Sequence, residues 1–328
     1  MAKQPISLVL AGGVGLGAYQ GGAYEALAQR CEISWVAGSS AGAINAALIA
    51  GSAPSARLDA LRGYWLAQAM PNAMALVAGT GAFRHMANWM SALQARLLGS
   101  PRHLRPAGPQ LSFSRFYDLA PTASYLERTI DLGRLNGGEP RLAIATTDIE
   151  SGDLVCFDTG RGDRIGIDHL LASCGFLPEF APVEIGGRLL GDGGLAANAP
   201  VEPVLDEAEG RDDAIVVVDL YARDGSRPDG LEAALARKTA LIFGNQTFRR
   251  LDIYRRLWQR LLPPDAARPS ILYLSYQPAP EEAGPEMPFD LSQQSACDRW
   301  RAGLLDGREA LGHLDRSAES AMLTVIRR

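Results

Sequence analysis

The run Ile33-Ser34-Trp35-Val36-Ala37-Gly38-Ser39-Ser40-Ala41-Gly42 joins an apolar stretch to an alanine-rich one through Gly-x-Ser-x-Gly. A serine at the centre of such a turn serves as a nucleophile when a sharp strand-to-helix bend lifts its hydroxyl clear of a sheet. Gly38 and Gly42 suit that bend, because a β-carbon at either flank would meet the neighbouring strand or helix. The helix predicted from Ala41 onward aims its N-terminus near the serine, which favours negative charge developing there. A flexible Gly/Ser loop is the bland alternative, but the order strand, turn, helix argues for the nucleophile elbow. Ser40 is the expected nucleophile.

A second glycine-rich segment, Gly12-Gly13-Val14-Gly15-Leu16-Gly17, follows the apolar run Ile6–Leu10 and opens a helical pattern reaching to about Arg30. The backbone N–H groups of such a loop can hold an anion. A dinucleotide fold would put a pyrophosphate there, and Gly13-x-Gly15-x-x-Ala18 fits the looser form of its fingerprint. That fold also wants an acidic residue at the end of the next strand, where this chain has ValAlaGlySerSer. An oxyanion hole needs a nearby nucleophile instead, and Ser40 tops that strand, so this use is preferred. The third element is Leu189-Leu190-Gly191-Asp192-Gly193-Gly194. Asp-Gly is by itself most often a turn signal. Here Asn198, Ala199 and Pro200 follow it and lead into a helix from Val201.

Taken together, these residues resemble the patatin-like phospholipase family. The resemblance rests on Gly12-Gly13-x-x-x-Gly17, Gly38-x-Ser40-x-Gly42, and Asp192-Gly193-Gly194 with Asn198-x-Pro200, and it spans residues 5 to about 220. It implies a three-layer α/β/α sandwich around a mainly parallel sheet and acyl-ester hydrolysis by a Ser–Asp dyad without a histidine. Ser40 is then the nucleophile and Asp192 the base, and backbone N–H groups of Gly12, Gly13, Val14 and Gly15 form the oxyanion hole. No cofactor or metal is implied, and the substrate is a lipid or other acyl ester. The family's loop carries a third glycine and a basic residue where this chain has Val14 and Leu16. Val14 must therefore find an ordinary backbone conformation or carry strain. Three rivals stand beside this reading: a Ser–Asp–His triad using His313, acyl transfer through the same serine, and a lipid-binding module with a weakened site.

The chain that must position these groups has 328 residues, 47% hydrophobic and 21% charged, which describes an ordinary globular protein. Residues 1–222 are expected to form the catalytic α/β domain, with 223–328 a mostly helical region packed on it or continuing it. A net charge of −5 gives no basic footprint for nucleic acid. Cys31, Cys156, Cys174 and Cys297 lack metal or disulfide spacing and read as reduced thiols in a cytoplasmic setting. The first apolar run breaks at Gly12-Gly13, so neither a signal peptide nor a membrane span of about 18 residues is expected. Oligomeric state is left open.

Between the motifs, residues 55–113 form a candidate cap, mainly helical to about 100 and then a loop. Its stripe Met86, Trp89, Met90, Leu93, Leu97, with Met70, Met74, Tyr64, Trp65 and Phe83 nearby, is expected to pack in the core, as such stripes usually do. The alternative is a lipid-contacting cap over Ser40. Arg141–Thr147 and Leu154–Asp158 read as a hairpin, Ala214–Leu220 and Ser270–Tyr276 as strands, and 292–328 as helices. Leu231–Leu262 reads as a long amphipathic helix with Phe248, Leu251, Tyr254, Trp258 and Leu261 on one face. Its arginines are expected to form a solvated face, with peripheral membrane contact the alternative.

Overall fold

The computed structural model describes residues 3–67, 81–108, 115–207, 214–261, 263, 269–314 and 323–326. The strands are β1 (Gln4–Leu10), β2 (Cys31–Ser39), β3 (Arg105–Pro106), β4 (Tyr117–Asp118), β5 (Arg141–Asp148), β6 (Leu154–Asp158), β7 (Val183–Ile185), β8 (Arg188–Asp192), β9 (Ala214–Asp219), β10 (Ile271–Ser275) and β11 (Leu323–Ile326). β3 and β4 pair with each other. The rest form one nine-stranded sheet in the order β11-β10-β9-β1-β2-β5-β8-β7, with β6 also on β5.

From β11 to β5 every pairing is parallel, while β8 and β6 run antiparallel to β5. Helices cover both faces, which is why β1, β9 and β10 are mostly apolar: a parallel strand is buried on both sides. α1 (Gly17–Leu27) connects β1 to β2, and α2 (Ala41–Gly51), buried along its whole length, follows β2. The glycine loop and Ser40 thus sit at the carboxyl ends of two adjacent parallel strands, where open α/β sheets bind ligands.

β10 extends the sheet past β9, and the Gln293–Leu314 helix crosses α1 at backbone contact. A β-carbon built on Gly22 would lie 1.9 Å from Trp300 O, and one on Gly303 lies 1.9 Å from Tyr19 O. The chain's last stretch differs from expectation. Helix ends at Leu314, and Leu323–Ile326 is a strand parallel to β10, as a β-branched LeuThrValIle run favours once a sheet edge is on offer. Residues 315–322 lie outside the described part.

The cap stripe is also reversed. In the Ala82–Leu98 helix the buried residues are Ala87, Asn88, Ser91, Ala92 and Ala95, whereas Phe83 is 75% and Met86 56% exposed. Trp89, Met90 and Leu97 are exposed as well. Small side chains let this helix lie close against Phe289 and Leu291, which leaves the large ones outside. Met70 and Met74 lie outside the described residues. On the apolar face of the Leu231–Leu261 helix, Leu251 and Trp258 are buried and Leu261 is exposed. Arg250 pairs with Glu202, and Arg255 and Arg256 with Asp252, so much of the basic face is neutralised by neighbours.

Candidate active site

Ser40 occupies the bend between β2 and α2 with φ 54° and ψ −122°, a region that costs a non-glycine residue about 1–3 kcal/mol. The two flanking glycines make the bend feasible. A β-carbon on Gly38 would lie 2.3 Å from Gly42 O, and one on Gly42 would lie 2.1 Å from Leu10 O of β1. A side chain with no local motif holds the strained unit. Ser173, ending the Ile167–Ser173 helix, accepts the Ser40 N–H at 3.0 Å and donates to Ala145 O at 2.7 Å.

Register explains how Asp192 arrives beside this serine. Consecutive residues of β5 pair with the two strand ends, Ala145 with Ser39 of β2 and Thr146 with Asp192 of β8. Asp192 is buried, and its Oδ1 accepts the Gly194 N–H at 2.7 Å. Its carbonyl accepts from Thr147 Oγ1 at 2.8 Å. Burial pushes the carboxyl up to about 7, against the opposing pull of hydrogen bonds from the Ser40 hydroxyl and the Gly194 amide. The Cys174 thiol adjoins the same hydroxyl, and burial together with the nearby Asp192 charge keeps it protonated.

The glycine loop resolves into a short 3-10 turn, Val14–Leu16. Val14 has φ 48°, so the strained outcome holds. Gly12 differs from the other expected donors: its N–H is committed to Asn198 O at 2.9 Å. Asn198 Nδ2 in turn donates to Gly12 O at 3.3 Å. The amides of Gly13, Val14 and Gly15 have no acceptor among the described residues. Distant groups pin this loop. Arg299, fully buried, donates to Gly15 O at 3.1 Å and Asp290 O at 2.8 Å and is ion-paired with Glu282. Gln20 donates to Ala11 O at 2.7 Å, Asn45 to Gly17 O at 3.0 Å and Gln20 Oε1 at 2.9 Å, and Trp65 to Asn45 Oδ1 at 2.7 Å. A guanidinium from the C-terminal helix therefore lies under a loop whose own basic position is Leu16. Only tertiary contact reveals that.

Ser40, Asp192, Gly12, Gly13 and Val14 share the walls of one cavity of about 190 Å³. Phe176, Phe180, Phe243 and Phe289 make most of it apolar, and Arg96 and Glu179 are its charged edges. Larger depressions, about 1190 Å³ and 630 Å³, contain neither residue. His313 does not line the cavity. It stands fourteen residues beyond Arg299 on the same helix, roughly 20 Å along its axis. Among the described residues no cluster of His, Cys, Asp or Glu could hold a metal ion, and no helix is long and apolar enough to cross a membrane.

No curated protein matches the sequence. Among solved structures, the crystal structure of VipD from Legionella pneumophila is similar at 16% identity and a TM-score of 0.41, over 92% of this chain and 67% of that one. The family model described as Patatin-like phospholipase matches residues 8–205, a span that contains the glycine loop, Ser40 and Asp192. The chain belongs to the patatin-like phospholipase family, a family of lipid acyl hydrolases.

Proposed function

We propose that this protein is a serine lipid acyl hydrolase working through a Ser40–Asp192 dyad. The observation that carries the reading is a buried carboxylate, pushed up to about 7 by burial, that lines one cavity with a serine held at a strained strand-to-helix elbow. A carboxylate of ordinary pKa is a weak base for a hydroxyl, and one tuned to about 7 is matched to neutral solution. Asp192 takes the hydroxyl proton as Ser40 Oγ attacks the ester carbon, and the carbonyl π electrons move to oxygen. The amides of Gly13, Val14 and Gly15 are the available donors for that oxyanion, each worth about 3–4 kcal/mol in such a role. Collapse expels the alkoxide, which takes the proton from Asp192 and leaves an acyl group on Ser40. Water, deprotonated by Asp192, then frees the acid and restores the serine. The phenylalanine walls suit a hydrocarbon chain, so the substrate is a lipid ester drawn from a surface.

A panel of lipid and p-nitrophenyl esters tests this. Ser40→Ala and Asp192→Asn are each expected to lower kcat by about three orders of magnitude or more. A fluorophosphonate should label the wild type but not Ser40→Ala. Near-normal turnover in either variant would sink the dyad.

A further inference from the structure

Two cavities, not one, meet at Ser40. Behind the larger lies a pocket of about 40 Å³ bounded by Ser40, Tyr64, Trp65, His103, Thr122 and Cys174, among others. Val14, Ser40 and Phe180 are walls of both. Its lining is mostly aromatic and aliphatic, and the Thr122 hydroxyl in it is already hydrogen-bonded to Tyr64 and to His103 O. His103, 6% exposed, hydrogen-bonds the Ser100 hydroxyl through Nδ1 at 2.9 Å, and its ring packs against Tyr64 and Trp65 at 4.8 and 5.4 Å. The other nitrogen, Nε2, is buried with no hydrogen-bond partner among the described residues. A buried polar atom left alone is unfavourable and calls for a partner. Burial, with the Arg102 charge adding to it, pushes His103 down to about 4, so the ring is neutral at pH 7.

The two volumes divide an ester. At about 10–15 Å³ per water-sized group, the larger holds a chain of a dozen or so atoms, and the smaller about three. A hydrocarbon chain belongs with the four phenylalanines, which leaves the short pocket for the alcohol end. The group that pairs with Nε2 must suit a neutral imidazole nitrogen in either tautomer, donor or acceptor, and a hydroxyl does both. We propose that the small pocket receives the alcohol end of the ester and that His103 Nε2 hydrogen-bonds a free hydroxyl on its second carbon. The favoured substrates are then partly esterified polyols, with a second acyl chain on that oxygen excluded by volume. This rests on the reading of Ser40 as nucleophile.

The test compares 2-hydroxyethyl octanoate with propyl octanoate, which carries a methyl in place of the hydroxyl. Wild type should favour the first by about tenfold in kcat/KM, as one hydrogen bond provides. His103→Phe keeps a ring but no nitrogen and should bring the ratio to about one, while His103→Gln, with an amide at similar reach, should keep part of the preference. A ratio near one in wild type, or one unchanged in His103→Phe, overturns the inference and makes Nε2 the partner of a buried water. If His103→Phe does not fold, wild type and His103→Gln decide by the same ratio. A His103-dependent preference for p-nitrophenyl 3-hydroxybutyrate over the butyrate, with none among the octanoates, overturns the assignment of ends. Hydrolysis without any hydroxyl preference sinks this inference alone; no hydrolysis of any ester sinks the Ser40 reading and this with it.

Discussion

Asp192 is the residue on which pH acts. Its carboxyl titrates near 7 in the folded chain and near 4 in the unfolded one, because burial penalises the charge more than the Ser40 and Gly194 hydrogen bonds favour it. In the proposed dyad it acts as a base only when ionised, so kcat/KM should rise with pH through a limb centred near 7. A limb centred near 4 would mean that the carboxylate is solvated and is not the tuned base. Stability moves the other way. A group raised on folding stabilises fully below its unfolded pKa, and that contribution is lost as pH rises from about 4 through 7. Asp192→Asn cannot lose a proton, so its stability relative to wild type should climb across that window, by at most about 4 kcal/mol. Urea melts of both proteins at pH 5 and 8 check the sign.

At the scale of elements, what was legible in the sequence had a local signature. The Gly38 and Gly42 flanks, the strand before them and the helix after them all declare Ser40 within ten residues. The glycine loop likewise reads as a candidate anion site from its residues alone, although nothing in them shows that Gly12 N–H is spent on Asn198. Groups that act across the fold left no trace: Ser173 under the elbow, Arg299 under the loop, His103 behind the serine. Arg299 is the sharpest case, since the helix carrying it is fastened to α1 by the Gly22 and Gly303 contacts and so delivers a fixed cation. Arg299→Leu would strand Glu282 as an unpaired buried charge and should cost about 3–5 kcal/mol. Arg299→Lys keeps the charge but not the planar fork reaching several carbonyls. It should fold with a lower melting temperature and lose kcat more than KM, since the loop, not the chain-binding walls, is what loosens. Unchanged kcat in a folded Arg299→Lys would mean the loop holds its shape without that fork.

The whole molecule presents something that neither the motifs nor the periodicity conveyed. Hydrophobic spacing in Met86, Trp89, Met90 and Leu97 reveals that a helix has an apolar side, but not which way that side faces. The orientation was settled by the small residues opposite, which pack against Phe289 and Leu291 more closely than the large ones can. The result is an outward apolar stripe on the helix whose Arg96 borders the Ser40 cavity. Under the proposed lipid hydrolysis, a helix with Phe, Trp and Met outward and Arg96 at the cavity edge is suited to rest in the interfacial layer. Replacing Phe83 and Trp89 together by aspartate removes two exposed rings that do not line the cavity, so rates on soluble p-nitrophenyl esters should stay within about twofold of wild type. On phospholipid vesicles the same variant should be about tenfold slower and should fail to sediment with them, because burying charge in the interfacial layer opposes binding. Equal vesicle sedimentation and equal vesicle rates for variant and wild type would show that the stripe does not meet lipid, and that substrate reaches Ser40 from another side.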